Sequence, residues 1–346
     1  MSVVEKNTQA ADGNKTAGFS LEVLDIDCVV VLEEIERAIR EIVAKRLRRR
    51  GVVVAVSGGV DSAVCAALAV RALGPQRVLG LLMPERDSSP ESTSRGKTLC
   101  KAIGIEYEIE DIAPTLEALG CYRRRDEAVR RLFPEFGPGY RQKITVADKL
   151  LEEDRLNYFN LVIESPAGEQ QKKRMPLDVY LQVVAATNMK QRTRKLLEYY
   201  HAETRNYAVL GTPNRLEYDQ GFFVRGGDGL ADVKPIAHLY KTQVYALARH
   251  LGVPEEICSQ PPGTDTYSLP QTQEEFYFAL PYDQMDLLLY AFTNDVPAEQ
   301  AGLVLGLTTE EVERVYHDIV AKQRQAKRLR QTAMLVTGGD DDSLCV

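Results

Sequence analysis

The 346-residue sequence contains no Cys-x-x-Cys pair. Its six cysteines, Cys28, Cys65, Cys100, Cys121, Cys258 and Cys345, are scattered, which argues against a zinc knuckle or a disulfide framework. Cys65 is expected to pack inside a helix, and Cys121 to be an exposed thiol. His201, His238, His250 and His317 share no metal-ligand spacing and read as structural or surface groups. No apolar run approaches the roughly 18 residues that span a bilayer. Residues 1–20 carry neither the basic segment nor the apolar segment of a secretory signal. The expectation is therefore a cytoplasmic protein with no membrane contact. Positive charge is in deficit, with 43 Lys and Arg against 50 Asp and Glu and a formal net charge of −7. A nucleic-acid partner held by bulk positive charge is not expected. Neither a Gly-x-x-x-x-Gly-Lys-Ser/Thr loop nor a Gly-x-Gly-x-x-Gly loop occurs, which excludes a Walker-type hydrolase and disfavours a nicotinamide dehydrogenase. No internal repeat is visible.

What remains is an ordinary globular balance, 44% hydrophobic and 27% charged. Residues 1–20 and 331–346 read as polar tails, and 21–330 as one domain. Apolar residues from Cys28 to Leu47 recur at helical spacing and predict an amphipathic helix. Val52 to Val56 is short, continuous and β-branched, as in a parallel strand covered on both faces. A turn at Ser57-Gly58-Gly59 and an Ala/Val/Leu-rich helix up to Gly74 follow. Strands at 78–83 and 105–111 flank a helix near 92–103. The alternation resumes with a long helix at 177–203, a strand at 206–210 and a helix at 239–251. A helical C-terminal part at 284–328 includes a capping box at Thr308 and Glu311. This order predicts an α/β fold with a doubly wound, Rossmann-like parallel sheet. Residues 120–176 interrupt it with a basic stretch, a Pro/Gly stretch and a strand from Tyr158 to Glu164. They read as an insertion or lid whose Arg123, Arg124, Arg125, Arg130 and Arg131 either meet an anionic substrate or form a solvated face.

The strongest chemical signal is Ser57-Gly58-Gly59-Val60-Asp61-Ser62, set between a buried strand and a helix. Glycines there let backbone N–H groups turn inward as an anion nest, and the helix N-terminus adds partial positive charge. Ser57 and Ser62 offer hydroxyl donors. Asp61 repels phosphate, so its role is to hold a Mg²⁺ that bridges phosphates, or more simply to cap the helix.

Ser-Gly-Gly-Val-Asp-Ser after a strand resembles the N-type ATP pyrophosphatase superfamily, whose fold is the adenine nucleotide alpha hydrolase-like one. Asn188-Met189-Lys190-Gln191-Arg192-Thr193-Arg194 is similar to the Asn-x-Lys-x-Arg-x-Arg helix of one of its families, and Gly211-Thr212-Pro213-Asn214-Arg215-Leu216-Glu217 to that family's Gly-Thr-x-Asn-x-x-Glu. Gly221 to Asp232 resembles its Gly-Phe-Phe-Thr-Lys-x-Gly-Asp-Gly segment, and Leu239-Tyr240-Lys241-Thr242-Gln243 its Leu-Tyr-Lys-Thr-Gln. Together these resemble the ammonia-dependent NAD synthetases. The resemblance implies transfer of AMP from ATP to a carboxylate, release of pyrophosphate, and attack of ammonia on the acyl-adenylate. The carboxylate would be that of nicotinic acid adenine dinucleotide. ATP and Mg²⁺ are the implied cofactors, and a homodimer the implied assembly.

The same resemblance implies a nucleotide site at Ala55, Val56, Ser57, Gly58, Gly59, Val60, Asp61, Ser62, Thr212, Lys241, Gly263 and Thr264. Asp61, Glu217 and Lys241 would be catalytic, with Asp61 and Glu217 as metal ligands. Arg192, Arg225, Asp232 and Lys327 would meet the acyl substrate. Departures fall on the substrate side: Arg225 stands where the family has Lys, and Gly263 where it has Thr or Ser. The family's C-terminal His-Lys pair is missing from Lys322 to Arg328. These differences keep open a same-fold amide ligase acting on another carboxylate. A sulfur-inserting pyrophosphatase and a non-catalytic nucleotide sensor are the further alternatives. No glutaminase nucleophile is evident, so nitrogen is expected from ammonia or a separate amidotransferase. The apolar runs 276–280 and 285–292 are expected to supply a dimer face or to fill the core.

Overall fold

A computed structural model describes residues 18–146, 159–263, 266–334 and 336. Four parallel strands, β1 (Val52–Ala55), β2 (Val78–Leu82), β3 (Glu106–Ile109) and, much later, β7 (Ala208–Leu210), form a sheet in the order β3-β2-β1-β7. β1 is central, paired in register with β2 on one side and β7 on the other. Both of its faces are covered, which is why Val52, Val53 and Val54 run without a polar residue. The pleat sends them to opposite cores. Val52 and Val54 pack with α1 (Cys28–Glu41), α2 (Val60–Leu73), α3 (Pro90–Ala102) and α8 (Lys241–His250). Val53, Leu79, Leu81 and Val209 pack with α4 (Ala113–Ala118), α5 (Cys121–Arg130) and α6 (Leu177–Arg205). The doubly wound architecture expected from the alternation is what the chain adopts.

α2 is apolar almost all round because it lies between the sheet, α1 and α8. α1 is amphipathic, and Asp27 caps it by accepting from Val29 N and Val30 N at 2.9 and 3.3 Å. The helix expected to run to Leu47 ends as α at Glu41 and finishes in a π-helical turn. After α7 (Arg215–Gln220) and the short α9 (Glu255–Cys258), three C-terminal helices stand where one helical stretch was expected. They are α10 (Tyr282–Thr293), α11 (Ala298–Leu305) and α12 (Thr309–Arg330), the last opened by the Thr308–Glu311 capping box. The runs 276–280 and 285–292 supply their core, with Phe278, Leu280, Met285 and Leu288 buried, so those residues do not form an outer face. Phe19 stacks near Tyr290 in the same core and anchors the chain before the tail was expected to end.

The insertion folds as α5 followed by an antiparallel sheet of β4 (Arg141–Val146), β5 (Phe159–Glu164) and β6 (Gln170–Arg174), in the order β4-β5-β6. Ala128, Val129, Ile144, Leu161 and Ile163 close a core against the first half of α6. Tyr158, expected to start a strand, lies outside the described residues, as do residues 1–17 and 337–346 of the expected tails. Of the basic stretch only Arg125 is buried; Arg123, Arg124, Arg130 and Arg131 stay on the exposed face. Arg123 pairs with Glu127, Arg125 with Asp87 and Asp126, Arg131 with Asp178, and Arg130 donates to Phe136 O. Cys121, expected as an exposed thiol, is buried against Ala186 because the α5 N-terminus packs on the sheet face. No helix among the described residues is long and apolar enough to cross a membrane.

Candidate active site

Strand order changes direction between β1 and β7. β2 and β3 step outward on one side of β1, and β7 returns on the other. In open α/β sheets the loops at that switch point diverge and leave a crevice beyond the strand C-termini. A cleft of about 1200 Å³ opens there. The loop after β1 and the segment after β7 line it side by side, from Ala55 to Ser62 and from Leu210 to Pro213.

Gly58 has φ +82° and lies against α3, where an added Cβ would come within 2.3 Å of Ser92 O. Only glycine fits both demands. The loop closes on its own hydroxyls. Ser57 N donates to Ser62 Oγ at 3.2 Å, the two hydroxyls lie 3.1 Å apart, and Ser62 Oγ donates to Gly59 O at 2.9 Å. Arg95 Nε donates to Gly58 O at 3.2 Å. The Gly58 and Gly59 carbonyls are thus engaged by the protein itself.

Asp61, in the first turn of α2, accepts from Lys241 Nζ and, at 3.1 Å, from Asn214 Nδ2. Asn214 also fixes Glu217 through a capping box: its Oδ1 accepts Glu217 N at 3.2 Å, and its own N donates to Glu217 Oε2 at 3.1 Å. One buried asparagine therefore holds both carboxylates in register. Gln273 Nε2 donates to the other Glu217 oxygen at 2.9 Å. Burial and then the negative charge of Asp61 push the Glu217 carboxyl up to about 8, against the pull of Lys241. For Lys241 burial favours the neutral amine, but Asp61 and Glu217 outweigh it and hold the proton on. Lys241 opens α8, whose first N–H groups donate to Asp286 of α10, Lys241 N at 3.2 Å and Thr242 N at 2.7 Å. Cys65 packs behind the loop, with its thiol pushed up by burial.

Thr212 and Gly263 line the same cleft, while Thr264 lies outside the described residues. Arg192 and Arg225 meet at the outer wall, where Arg192 Nε donates to Arg225 O at 3.2 Å. Two expected substrate residues are not brought to the cleft. Asp232 accepts from Val209 N at 2.8 Å and from Tyr199 OH at 3.2 Å, so it caps the sheet edge. Lys327 is exposed on α12, whose Gln325 and Leu329 face the cleft in its place.

Sequence reasoning missed a buried charge cluster under one wall. Lys190 Nζ donates to Glu85 at 2.9 Å, Asp87 at 2.7 Å and Thr266 O at 2.8 Å, which uses all three of its protons. Arg125 pairs with the same Asp87, and Tyr122 OH donates to Glu85 at 2.8 Å. Burial alone would raise the Asp87 carboxyl, but Lys190, Arg125 and Arg86 pull it below its usual range. Lys190 was visible as the lysine of the α6 motif, whereas its partners carried no local signal. His201, Glu108 and Glu110 also come together, beside Arg205, and none of them lines the cleft.

The family model described as NAD synthase matches residues 31–133 and 137–330. The chain is 55% identical to the NH(3)-dependent NAD(+) synthetase of Rhizobium meliloti over 318 residues, 92% of this chain and 95% of that protein. It is 53% identical to the enzyme of the same name from Rhizobium rhizogenes, over 92% of this chain and 96% of that one. Among solved structures, an NH3-dependent NAD synthetase from Campylobacter jejuni superposes with a TM-score of 0.59 at 22% identity. That match covers 90% of this chain and all of the other, a likeness of fold.

Proposed function

The chain belongs to the NAD synthase family, and from that premise we propose that the switch-point cleft carries out ATP-dependent amidation of nicotinic acid adenine dinucleotide. The chain is a ligase that forms a carbon–nitrogen bond. AMP is transferred to the nicotinate carboxylate, pyrophosphate departs, and ammonia displaces AMP to give the amide. The observation that carries this reading is the meeting of Asp61, Lys241 and Glu217 beside a glycine nest at one end of the cleft.

A carboxylate is a poor acyl donor because its leaving group would be oxide; adenylation supplies a better one. Ser57 N and Gly59 N donate to the loop's own hydroxyls, and on ATP binding these N–H groups turn to the pyrophosphate oxygens, helped by the N-terminus of α2. The Ser57–Ser62 hydroxyl contact opens so that both can donate to phosphate. Lys241 keeps its proton and stabilises negative charge that grows on the departing oxygens. Asp61 and Glu217 fit a magnesium ion. They are hard oxygen donors, and the Glu217 carboxyl is raised first by burial and then by the Asp61 charge, both of which a bound divalent cation would offset. Bound there, Mg²⁺ supplies charge neutralisation to the phosphates. Arg192 and Arg225 lie at the wall where an anionic dinucleotide would rest. The insertion borders the cleft through Arg141 and Phe159, and as a lid there it would limit hydrolysis of the acyl-adenylate. The reading includes a cytoplasmic homodimer, for which the exposed Leu177, Leu181, Leu196 and Tyr200 of α6 offer an apolar surface. Ammonia comes free or from a separate amidotransferase.

The test is mass-resolved product analysis with ATP, Mg²⁺, ammonium and a panel of carboxylates that includes nicotinic acid adenine dinucleotide. Equal amounts of NAD, AMP and pyrophosphate are expected. ATP–pyrophosphate exchange driven by another carboxylate, with none driven by the dinucleotide, would overturn the substrate assignment.

A further inference from the structure

Residues 260–263 lie at the catalytic loops and residues 266–275 reach from there to the insertion sheet, and both stretches are tied. At the catalytic end, Tyr245 OH donates to Gln260 O at 2.9 Å and Gln273 Nε2 to Glu217 at 2.9 Å. Gln273 N donates back to Pro262 O at 2.9 Å, which joins the two stretches; residues 266–275 form a strap. Gly263, in the first stretch, lies on the nucleotide side of the cleft.

At the other end the strap occupies the free edge of β4. β4 pairs with β5 on one side only. On the other side Leu269 N donates to Gln142 O at 3.1 Å, Gln142 N donates to Ser268 Oγ at 2.8 Å, and Gln271 Nε2 donates to Ile144 O. The strap therefore covers an edge that would otherwise expose unpaired backbone groups. Lys143, on the same strand, fixes the register. Its ammonium donates to Pro270 O at 3.3 Å and pairs with Glu275 at 2.6 Å, and these two residues bracket Gln273.

We propose that Lys143 is a positioning residue for the nucleotide site: by pinning Pro270 and Glu275 to the insertion sheet it sets where Gln273 sits, and Gln273 orients the Glu217 carboxylate. This rests on the reading of Glu217 given under Proposed function. It gives the insertion a task on the ATP side, distinct from covering the acyl substrate. Lys143 touches no reacting atom, so it acts only through the strap. The pair is partly solvated, with side chains 15% and 37% exposed, so its loss costs the fold little and the variants should remain folded.

The experiment compares full-length wild type, Lys143→Glu, Glu275→Lys and the double charge reversal. It measures ATP binding with Mg²⁺ by calorimetry, hydrogen–deuterium exchange of peptides covering 266–276, and thermal melting. Each single reversal places like charges face to face. It should weaken ATP binding by about threefold and speed exchange in 266–276, with the melting temperature within a few degrees of wild type. The double reversal restores the attraction and should recover most of both losses. Faster exchange with unchanged ATP binding would overturn the proposal, since the strap would then be loose without consequence for the site. Failure of the double reversal to rescue would also overturn it. Both readouts are independent of the acyl substrate. A wild type that makes no NAD yet shows this pattern would refute the dinucleotide assignment and leave the role of Lys143 standing.

Discussion

Replacing Asp61 with asparagine separates charge from shape at the centre of the site. One buried ammonium, Lys241, faces two carboxyl groups, Asp61 and Glu217; the trio is neutral while Glu217 holds its proton and gains one net negative charge when Glu217 ionises, at about 8. Asn at position 61 keeps the size and an oxygen that can still accept from Asn214. Removing the partner of a buried charge ordinarily costs about 3–5 kcal/mol, because the remaining charge is left uncompensated. Here Glu217 stays to balance Lys241, so a smaller loss, about 1–2 kcal/mol, is expected. In a domain of this size that is a fall in melting temperature of roughly 2–3 °C. Activity should suffer far more. An electrostatic contribution of about 4 kcal/mol at the transition state is about a thousandfold in rate.

The same variant has a pH signature. In the wild type Glu217 holds its proton up to about 8, above the unfolded value of 4.5, so the folded state binds more protons between them. Stability then falls as pH rises through that window. Without the Asp61 charge the Glu217 carboxyl loses the second of its two upward pushes while burial remains, so part of this slope disappears. The stability deficit of Asp61→Asn should therefore shrink as pH rises from about 5 to about 8. Pyrophosphate release and melting curves over that pH range provide the assay. Turnover within tenfold of wild type would refute the catalytic assignment. A melting temperature lower by more than about 15 °C would show that Asp61 mainly holds the fold together.

Two further substitutions probe the supports of the site. Gly58→Ala must place a Cβ 2.3 Å from Ser92 O in a left-handed conformation, so it should destabilise by about 2–4 kcal/mol and weaken ATP binding at least about tenfold. Calorimetric affinity within twofold of wild type would show that the loop does not shape the nucleotide site. Asp286→Asn keeps one acceptor oxygen for the α8 N-terminus, gives up the bonds made to the other, and removes a carboxyl that burial has pushed up to about 6 against the pull of its Thr242 bonds. A raised folded value makes the wild type lose stability as pH rises from about 4 to 6, by on the order of 3 kcal/mol. Chemical denaturation across that range should show the slope in the wild type and a flatter profile in the variant; parallel profiles would refute the link.

Much of this architecture could be read locally. Val52 to Val54 announced a central strand because a strand buried on both faces tolerates no polar residue. Glycine at 58 was legible because a nest after a strand needs left-handed backbone, and Asp61 because it follows in the first helical turn. Asn214 sat in plain view three residues before Glu217, at capping-box spacing, yet its bond to Asp61 spans 153 positions, and no periodicity reports such a bond.

The insertion was opaque for a different reason. β6 reads Gln-Gln-Lys-Lys-Arg and is exposed along its whole length, so no alternation betrays it. β4 buries Ile144 and Val146 but is edged by Arg141 and Lys143, and it is completed only when residues 268–271 arrive on its open side. Charge alone did not decide between the two readings of the basic stretch. Five arginines within nine residues left an anion surface and a solvated face equally open; four of them are exposed, while carboxylates from the β2–α3 loop and α6 pair with Arg125 and Arg131. A run of charge in sequence marks a functional surface only if the fold brings no opposite charge to it. Asp87 and Asp178 enter from segments 38 and 47 positions away, a separation at which sequence pattern carries no contact information. The insertion's function is accordingly written in its long-range partners, above all in the link from Lys143 to Glu275 across 132 positions.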